Sequence, residues 1–416
     1  MSGFKFLHAA DLHLGSPFHG LRVHDTGVTE RLADAGRTAF TALVSRAIEE
    51  RVAFVVLAGD IYEGEWRDNT IGLFFARELG RLERAGIDVY LLHGNHDAES
   101  VVMHSVTLPD SVRVFASDKP TTFRIEALKV ALHGQSFAEP AVTENLALNY
   151  PNQVGGWFNI GVLHTSLTGY PPHADYAPST PGHLRARGYD YWALGHVHEY
   201  AVLQTRPHIV YAGNLQGRHM GEQGARGAVL VRVEEGEIES VERVIVDRVR
   251  WIELPVSVAG ETNEATLVRR IEDAVRPLGV LATERLIVLR IVLAGETELH
   301  RRLVADREEI SAAVEAACQR VHADIWLERV ELRTTAPARK LPTAPALASV
   351  DLGALLAEVA GDQELGDKAR AEVAEIIARL PASVGEAERD FAGDLPALIA
   401  EARDLLLARV DEAATR

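Results

Sequence analysis

Residues 91–98 read LLHGNHDA, in which two leucines lead directly into glycine, asparagine, histidine and aspartate. Such residues are common in turns, because glycine permits positive φ and the side chains of Asn and Asp bond to nearby backbone. A polar turn after a buried strand would therefore explain this stretch without any chemistry. The residues that follow the other apolar runs decide between a turn and a functional site.

Short apolar runs alternate with helix-like segments over the first 250 residues. The runs are FKFLHAA, VAFVVLAGD, DVYLLHGN, KVALHGQ, NIGVLHTS, YDYWALGH, HIVYAGN and AVLVRVEEG. Runs of this length predict strands that are buried on both faces. Helical stretches such as TAFTALVSRAIEERV (38–52) and TIGLFFARELGRLERAG (70–86) lie between the early runs, so we expect a layered α/β domain. The later runs are closer together, which predicts at least one mixed sheet.

Residues of types that commonly bind metals, namely Asp, Asn and His, follow five of these runs. They are Asp11, His13, Asp60, Asn95, His164, His196 and His198. Ligand sites of α/β sheets gather at the carboxyl ends of strands. Glycine precedes the polar residue in three runs, at positions 59, 94 and 195, where the backbone can turn tightly or approach closely. Seven oxygen and nitrogen donors exceed what one tetrahedral zinc uses, and they suit two six-coordinate ions that share a carboxylate.

The order D-x-H, G-D, G-N-H-D, H and G-H-x-H resembles the calcineurin-like metallophosphoesterases. Within that family HAADLHLGSPFHGL, AGDIYEGEW and YAGNLQGRHMGEQG are similar to the DNA-repair exonuclease branch, which includes the SbcD and YhaO nuclease subunits. The resemblance is specific over about residues 4–230 and looser over 251–335, and it ends near 340. It implies an α/β (α+β) fold: a four-layer β-sandwich flanked by helices, a small α+β capping domain and a helical C-terminal tail.

The resemblance also implies a role for each residue of the pattern. The first metal would be held by Asp11, His13, Asp60 and His198, and the second by Asp60, Asn95, His164 and His196. Asp60 would therefore bridge the two metals. His96 would stand beside the scissile phosphate, and Asp97 would orient it. One position departs from the branch, because its nucleases often carry His or Asp where this chain has Glu63. At this position the resemblance therefore does not fix the polarity or the strength of exonuclease action.

Composition excludes several classes of protein. The single Cys318 leaves no internal disulfide and no cysteine-based zinc site, which fits a reducing compartment. The start, MSGFKFLHAADLHLG, becomes polar too early for a signal peptide. No uncharged apolar run approaches the roughly 20 residues that a membrane span needs. We therefore expect a cytoplasmic protein without a membrane partner.

The sequence divides into four segments. Residues 1–250 form the predicted nuclease domain, and residues 251–335 form a capping or DNA-binding-like α+β domain with helices expected over 263–278 and 307–321. Residues 336–349, APARKLPTAPALAS, form a predicted linker. Residues 350–416 have apolar residues at helical spacing, which favours a helical tail that docks on an ATPase. The alternative is a helical appendix that packs on the chain's own surface.

These observations favour a two-metal-dependent phosphodiesterase. The resemblance implies a DNA exonuclease or endonuclease subunit in DNA repair that uses Mn²⁺, works with an SMC-like coiled-coil ATPase and forms a homodimer. The net charge is −17, and a stand-alone nucleic-acid binder would need a basic surface. DNA would therefore be bound jointly by the metals, by scattered arginines such as Arg218 and by the partner. The alternatives are a metallophosphoesterase for a small phosphodiester or phosphomonoester, and a regulatory scaffold subunit of an ATPase.

Overall fold

The computed structural model describes most of the chain as two compact units. The described residues are 3–16, 26–63, 69–98, 106–167, 176–337, 355–356, 358–359, 361–379, 395–396, 398–400, 402–403 and 405–407. One unit comprises Met1–Ile252 with Val280–Val288, and the other comprises Glu253–Gly279 with Leu289–Arg416. Almost all of the predicted linker, from residue 338 on, lies outside the described residues.

Among the described residues up to 245, twelve strands form two six-stranded sheets. The strands of the first sheet are β1 Phe4–Ala9, β2 Phe54–Ala58, β3 Asp88–Leu92, β4 Val112–Val114, β11 Gly227–Glu234 and β12 Glu237–Ile245. Those of the second are β5 Thr121–Ile125, β6 Val130–Gly134, β7 Phe158–His164, β8 Tyr191–Gly195, β9 Ala201–Thr205 and β10 His208–Tyr211. Their orders are β12-β11-β1-β2-β3-β4 and β5-β6-β7-β8-β10-β9.

Both sheets are mixed, with parallel strands at their centres. Strands β1 to β4 are parallel to one another, while β11 and β12 extend the sheet by antiparallel pairing. In the second sheet β6, β7, β8 and β10 are parallel, and the edge strands β5 and β9 are antiparallel to their neighbours. The expectation of a mixed sheet is therefore confirmed, and it holds for both sheets.

Helices cover the outer faces of the two sheets. They are α1 Thr26–Glu50, α2 Asn69–Arg84 and α4 Pro181–Arg185, with a 3₁₀ turn at Leu146–Asn149. The short helix α3, Asn95–Ala98, lies instead at the carboxyl end of β3. Phe40 and Phe75 pack on the first sheet from α1 and α2, and Trp192 is buried with Leu184 against the far face of the second.

The apolar core between the sheets contains side chains from both. The Phe6 ring stacks on Phe54 at 5.1 Å between centroids and meets the edge of Tyr191 at 5.3 Å. Each of these three rings is fully buried, and burying an aromatic side chain of this size is worth about 1.5–3 kcal/mol. The first unit is therefore the expected four-layer sandwich of helices, sheet, sheet and helices.

The region from residue 249 on is a smaller α+β arrangement. Its sheet has the order β13-β14-β15, formed by β13 Val249–Ser257, β14 Leu286–Glu296 and β15 Ile325–Thr335. Its helices are α5 Glu264–Val275, α6 Leu278–Ala282, α7 His300–Ala305 and α8 Arg307–Val321. Helix α5 begins after Asn263, whose side chain accepts from the N–H groups of Ala265 and Thr266. Helices expected over 263–278 and 307–321 are therefore present.

The predicted helical tail is described mainly by α9, Gln363–Ala378, which buries none of its residues. Ile376 on this helix is 59% exposed. Shorter helical pieces lie among residues 355–359 and 395–407, and the rest of the tail lies outside the described residues. Within the part of the chain that the structure describes, no helix combines the length and apolar character that a membrane span requires.

Candidate metal centre

The predicted site residues lie at the carboxyl ends of five parallel strands. Asp11 and His13 follow β1, Asp60 follows β2, and Asn95 follows β3 in the first sheet. His164 ends β7, and His196 and His198 follow β8 in the second sheet. The carboxyl ends of both sheets therefore deliver polar side chains to one place, as expected for a ligand site of a parallel sheet.

The backbone is unusual at four of these residues. Asp11, His13, Asp60 and His196 have φ values of 50°, 42°, 54° and 94°. Non-glycine residues rarely adopt positive φ, and such strain persists only where the surrounding structure enforces it. Here main-chain bonds fix the loops, because Asp11 N donates to Gly59 O and His13 N donates to Asp60 O, both at 3.0 Å. The loops thus hold these side chains in one orientation.

Glycine is required beside two of the loops because the backbone and neighbouring side chains approach closely. A Cβ atom at Gly94 would overlap the carboxylate of Asp60, and one at Gly195 would overlap the carbonyl oxygen of Ala58. Close backbone approach of this kind is open only to glycine. The glycines before the polar residues therefore bring the strands close together, as the sequence predicts.

Asp11, His13 and His198 form one group of side chains that could hold a metal ion, the first cluster. Their ligand atoms lie within 4.8 Å of one another. The Nε2 atoms of His13 and His198 face each other at 3.1 Å. Asp11 also accepts the backbone N–H of His196 at 3.1 Å, which ties this cluster to the loop after β8.

Asp60, His164 and His196 form another such group, the second cluster, and all three are buried. Nε2 of His164 lies 3.0 Å from Oδ1 of Asn95 and 3.4 Å from Oδ2 of Asp60. Nδ1 of His164 lies 3.0 Å from the carbonyl oxygen of Ala58. When Nδ1 donates its proton to that carbonyl, Nε2 is left as an electron-pair donor directed at the cluster.

Asp60 belongs to the second cluster, and its carboxylate also reaches the first. Its Oδ2 atom lies 3.4 Å from Nε2 of His164 and 3.9 Å from Nε2 of His13. Its Oδ1 atom accepts the backbone N–H of His96 at 3.1 Å. One carboxylate therefore reaches histidines of both clusters, which is the geometry that a shared ligand needs.

Burial and charge act in opposite directions on the pKa values of these groups. Burial alone would raise the pKa of Asp60, but the charge and hydrogen bond of His164 outweigh it and hold that pKa well below its usual range. Burial likewise opposes protonation of His164, yet Asp60 and Asp11 raise its pKa to about 9. Burial lowers the pKa of His13 to about 4, which favours the neutral imidazole that binds metals, whereas a metal ion at the second cluster would have to displace a proton from His164.

The donor set fits divalent cations. Two imidazole Nε2 atoms 3.1 Å apart repel if both present lone pairs, and a cation between them removes the conflict. The Nδ1 atoms of both rings lie near carboxylates, 2.7 Å from Glu63 for His13 and 2.8 Å from Glu222 for His198. Such carboxylates favour protons on Nδ1 and leave Nε2 as the ligand atom. Oxygen and imidazole donors without sulfur suit ions such as Mn²⁺, Mg²⁺ or Zn²⁺.

His96 lies next to both the candidate ligands and Glu63. Its side chain is 36% exposed, and its Nδ1 atom is 3.6 Å from Oε1 of Glu63. The ring lies 5.1 Å from that of His13, and His96 also forms a group of metal-binding geometry with His13 and Asp60. Its position is compatible with contact to a substrate and also with metal ligation.

Asp97 makes contacts that differ from those expected for an orienting residue. Its Oδ1 atom accepts the backbone N–H groups of Ile61 and Tyr62 at 2.9 and 3.1 Å, and its Oδ2 atom accepts that of Gly94 at 3.0 Å. Burial and the charge of Asp60 raise the pKa of Asp97 to about 7. These bonds join the GNHD turn to the loop that carries Asp60, and the orienting role toward His96 stays a prediction.

Sequence reasoning did not assign a role to Glu222, and it considered Arg218 only for DNA contact. Arg218 donates to Glu222 and to Glu63, and these residues lie behind His13 and His198. The stretch YAGNLQGRHMGEQG contains both Arg218 and Glu222, four residues apart. That spacing of opposite charges was the available signal, although nothing local to it indicates a contact with Glu63.

Comparisons with known proteins agree with this geometry. The family described as calcineurin-like phosphoesterase matches residues 4–200, and the one described as metallophosphoesterase YhaO, middle domain, matches residues 251–335. The chain is similar to the uncharacterized metallophosphoesterase YhaO of Bacillus subtilis (strain 168). The two are 34% identical over 299 residues, which cover 71% of this chain and 72% of that protein.

Two more distant relatives are described as DNA double-strand break repair protein Mre11. The Methanopyrus kandleri protein is 27% identical over 300 residues, which cover 64% of this chain and 62% of the relative. The Sulfurisphaera tokodaii protein is 22% identical over 327 residues, which cover 75% and 79% of the two chains. Together with the sandwich and the clusters at its strand ends, these matches show that the chain belongs to the calcineurin-like phosphoesterase family and is a metal-dependent hydrolase.

Proposed function

We propose that this protein is a two-metal phosphodiesterase that cuts DNA. The position of Asp60 carries the proposal, because its carboxylate lies between the histidines of the two clusters. Asp11, His13, Asp60 and His198 would hold one metal, and Asp60, Asn95, His164 and His196 would hold the other. We propose Mn²⁺ as the native metal on the basis of the sequence resemblance, and oxygen and imidazole donors without sulfur are compatible with it.

The residues of the site suit an anionic substrate. When bound, two divalent cations supply Lewis-acid stabilisation of a phosphate ester and lower the pKa of a water molecule. Asn95 is a neutral ligand and leaves the site more positive than a third carboxylate would. His96 is partly exposed beside the clusters and would donate a proton to the leaving oxygen or stabilise charge on the phosphate.

DNA as the substrate rests on the relatives described as DNA double-strand break repair proteins and on the sequence resemblance. A small phosphodiester or phosphomonoester is the competing substrate class, because the ligand set alone does not read substrate size. A regulatory scaffold without catalytic activity is the third possibility. The complete set of candidate ligands speaks against it.

A nuclease assay separates these three functions. Metal-free protein is incubated with end-labelled single- and double-stranded DNA, and separately with bis-p-nitrophenyl phosphate, with and without added Mn²⁺. The proposal predicts Mn²⁺-dependent cleavage of DNA at a rate at least comparable to that of the small diester. Cleavage of the small diester alone would favour the competing substrate class, and inactivity on both substrates would favour the scaffold.

We further propose that the tail, residues 350–416, docks on the coiled coil of an SMC-like ATPase and that the nuclease domain forms a homodimer. Helix α9 buries none of its residues, and Leu365 and Ile376 are 40% and 59% exposed. A short helix is marginal in water without packing. Truncation after residue 340 should preserve cleavage of the small diester and abolish co-purification with the ATPase. Unfolding of the truncated protein would instead place the tail in the chain's own core.

A further inference from the structure

A charged bridge connects the rear faces of two candidate metal ligands. On one side, Nδ1 of His13 lies 2.7 Å from Oε2 of Glu63. The same carboxylate oxygen accepts from the guanidinium of Arg218 at 2.7 Å. The His13 ring is almost fully buried, at 2% side-chain exposure, and Glu63 is partly buried at 26%.

The other side of the bridge is similar, and there the contact between histidine and carboxylate is a hydrogen bond. Nδ1 of His198 lies 2.8 Å from Oε1 of Glu222, and Arg218 donates to the same oxygen at 2.9 Å. Oε2 of Glu222 accepts from the backbone N–H of Arg218 at 2.7 Å and from Nδ2 of Asn214 at 2.8 Å. The Glu222 side chain is 6% exposed. Both carboxylates are thus fixed by one arginine.

We propose that Glu63, Arg218 and Glu222 act together as positioning residues for the first metal. The hydrogen bond to Glu222 would hold a proton on Nδ1 of His198, and the Glu63 carboxylate 2.7 Å from Nδ1 of His13 would favour the same tautomer there, which would leave both Nε2 atoms free to bind the cation. Hydrogen-bond acceptors behind metal-bound histidines fix the tautomer and the orientation of the ring. Arg218 offsets part of the buried negative charge, and its planar fork engages both carboxylates at once. The proposal rests on the proposed function only in assuming that the first cluster binds a metal.

The contacts argue against two other roles. Arg218 directs Nη1 to Glu63 and Nε and Nη2 to Glu222, with Nη2 also 3.3 Å from Nδ1 of His198, so most of its five N–H donors face the bridge and not a phosphate group. Glu63 would need to face the clusters to be a ligand itself. Among the described residues, the groups with metal-binding geometry do not include it.

Substitutions at Glu63 test the proposal most cleanly, because this side chain is partly exposed. In Glu63→Gln the amide oxygen can keep the contacts of Oε2 to His13 and Arg218, whereas Glu63→Ala removes them. Arg218→Ala breaks the bridge at its centre and leaves both carboxylates. Glu78→Ala is the matched control, since Glu78 is buried and paired with Arg81 at 2.6 Å on α2.

The experiment titrates Mn²⁺ into the full-length, metal-free protein. Binding is measured by isothermal titration calorimetry and, independently, from the electron paramagnetic resonance signal of free Mn²⁺. We expect Glu63→Ala to weaken one of two Mn²⁺ sites by about 10–100-fold, the usual effect of removing such a partner. Arg218→Ala should weaken the same site, while Glu63→Gln and Glu78→Ala should stay close to wild type. Two-bond ¹H–¹⁵N spectra should show an Nδ1–H tautomer for His13 that is lost in Glu63→Ala. Thermal unfolding in EDTA checks that each variant is folded.

Several outcomes would overturn the proposal. Wild-type Mn²⁺ affinity in folded Glu63→Ala and Arg218→Ala would show that the bridge does not position the ligands. An equal loss in Glu63→Gln would show that the carboxylate acts as a ligand or by its charge, and an equal loss in Glu78→Ala would show a non-specific effect. Wild-type protein that binds no Mn²⁺ would overturn the proposed function as well. If wild-type protein binds two Mn²⁺ ions but does not cleave DNA, only the assignment of DNA as the substrate is overturned.

Discussion

The two clusters of the metal centre differ in what lies behind their histidines. Behind His13 and His198 are the carboxylates of Glu63 and Glu222. Behind His164 is the main-chain carbonyl of Ala58. A side-chain carboxylate can be removed by one substitution, whereas a main-chain carbonyl is fixed by the strand that carries it. Affinity for the first metal should therefore be easy to change by mutation, and affinity for the second should depend on the fold.

Aromatic rings add to the contrast. The edge of Phe137 meets the ring of His164 at 5.5 Å between centroids, and Tyr176 meets His196 at 5.4 Å. Apolar rings orient a histidine by packing and add no charge. The second cluster is thus held by packing and main chain, while the first is held by paired charges. Four substitutions test how far this difference extends.

Loss of the shared carboxylate should have the largest effect, because it removes the difference between the clusters. Asp60→Asn keeps an oxygen for the N–H of His96 but takes away the charge that reaches both clusters. We expect both metals to be lost from purified protein. Metal catalysis is worth several kcal/mol, so phosphodiester hydrolysis should fall by about 10³-fold or more.

Elemental analysis and turnover of bis-p-nitrophenyl phosphate measure this effect. Asp190→Asn is the control. Asp190 lies just before β8, at the opposite end of that strand from His196, and its carboxylate accepts the backbone N–H of Asn159. The control should keep metal and activity. Two tightly bound equivalents of metal in Asp60→Asn would exclude the bridging assignment.

The next largest effect should come from His96, which lies beside the first cluster without a place in the predicted ligand set. His96→Ala should retain both metals and lose about 10²–10⁴-fold in turnover, the usual contribution of a general acid or base. His208, at the start of β10, provides the control substitution His208→Ala. A loss of metal from His96→Ala would instead make His96 a ligand, in accordance with its geometry beside His13 and Asp60.

That the seven predicted ligands lie close together could be expected from sequence, because each follows an apolar run and strand ends meet in parallel sheets. The bridge behind them could not be found in this way. Glu63 and Arg218 are 155 residues apart, and their contact depends on how the loops after β2 and β10 fold. The contacts of Asp97 could not be predicted from sequence either, because an Asp next to a His is as compatible with an orienting role as with hydrogen bonds to backbone. Positive φ at His196 is likewise a result of tertiary contacts.

Asp97 should have a smaller effect, chiefly on stability, because it bonds to backbone next to both clusters, and its predicted orienting role toward His96 would add a loss of turnover. In Asp97→Asn an NH₂ group would face the N–H of Gly94 or those of Ile61 and Tyr62. An unsatisfied buried donor costs about 1–3 kcal/mol. We expect the free energy of unfolding to fall by that amount in urea denaturation at pH 8 with EDTA. Burial raises the pKa of Asp97 to about 7, so the carboxylate ionised at pH 8 carries a desolvation cost that Asp97→Asn removes, and the net loss is expected at the lower end of this range.

The control for this measurement is Asp118→Asn, in which the substituted side chain is exposed. It should change the free energy of unfolding by less than about 0.5 kcal/mol. Unchanged stability in Asp97→Asn, together with a large loss of turnover, would return Asp97 to the orienting role toward His96.

The smallest effect is expected for the aromatic support of the second cluster. In Phe137→Leu the edge contact to His164 is lost, but the Ala58 carbonyl still fixes Nδ1 of that ring. Phe→Leu removes core volume, at a cost of about 1–3 kcal/mol that depends on how far the site can collapse. Phe115→Leu is the matched control, because Phe115 is equally buried and contacts Phe123 instead of a ligand. Both variants should lose similar stability and bind two Mn²⁺ with affinities close to wild type. A tenfold weaker site in Phe137→Leu alone would show that packing, and not the main chain, holds the second cluster.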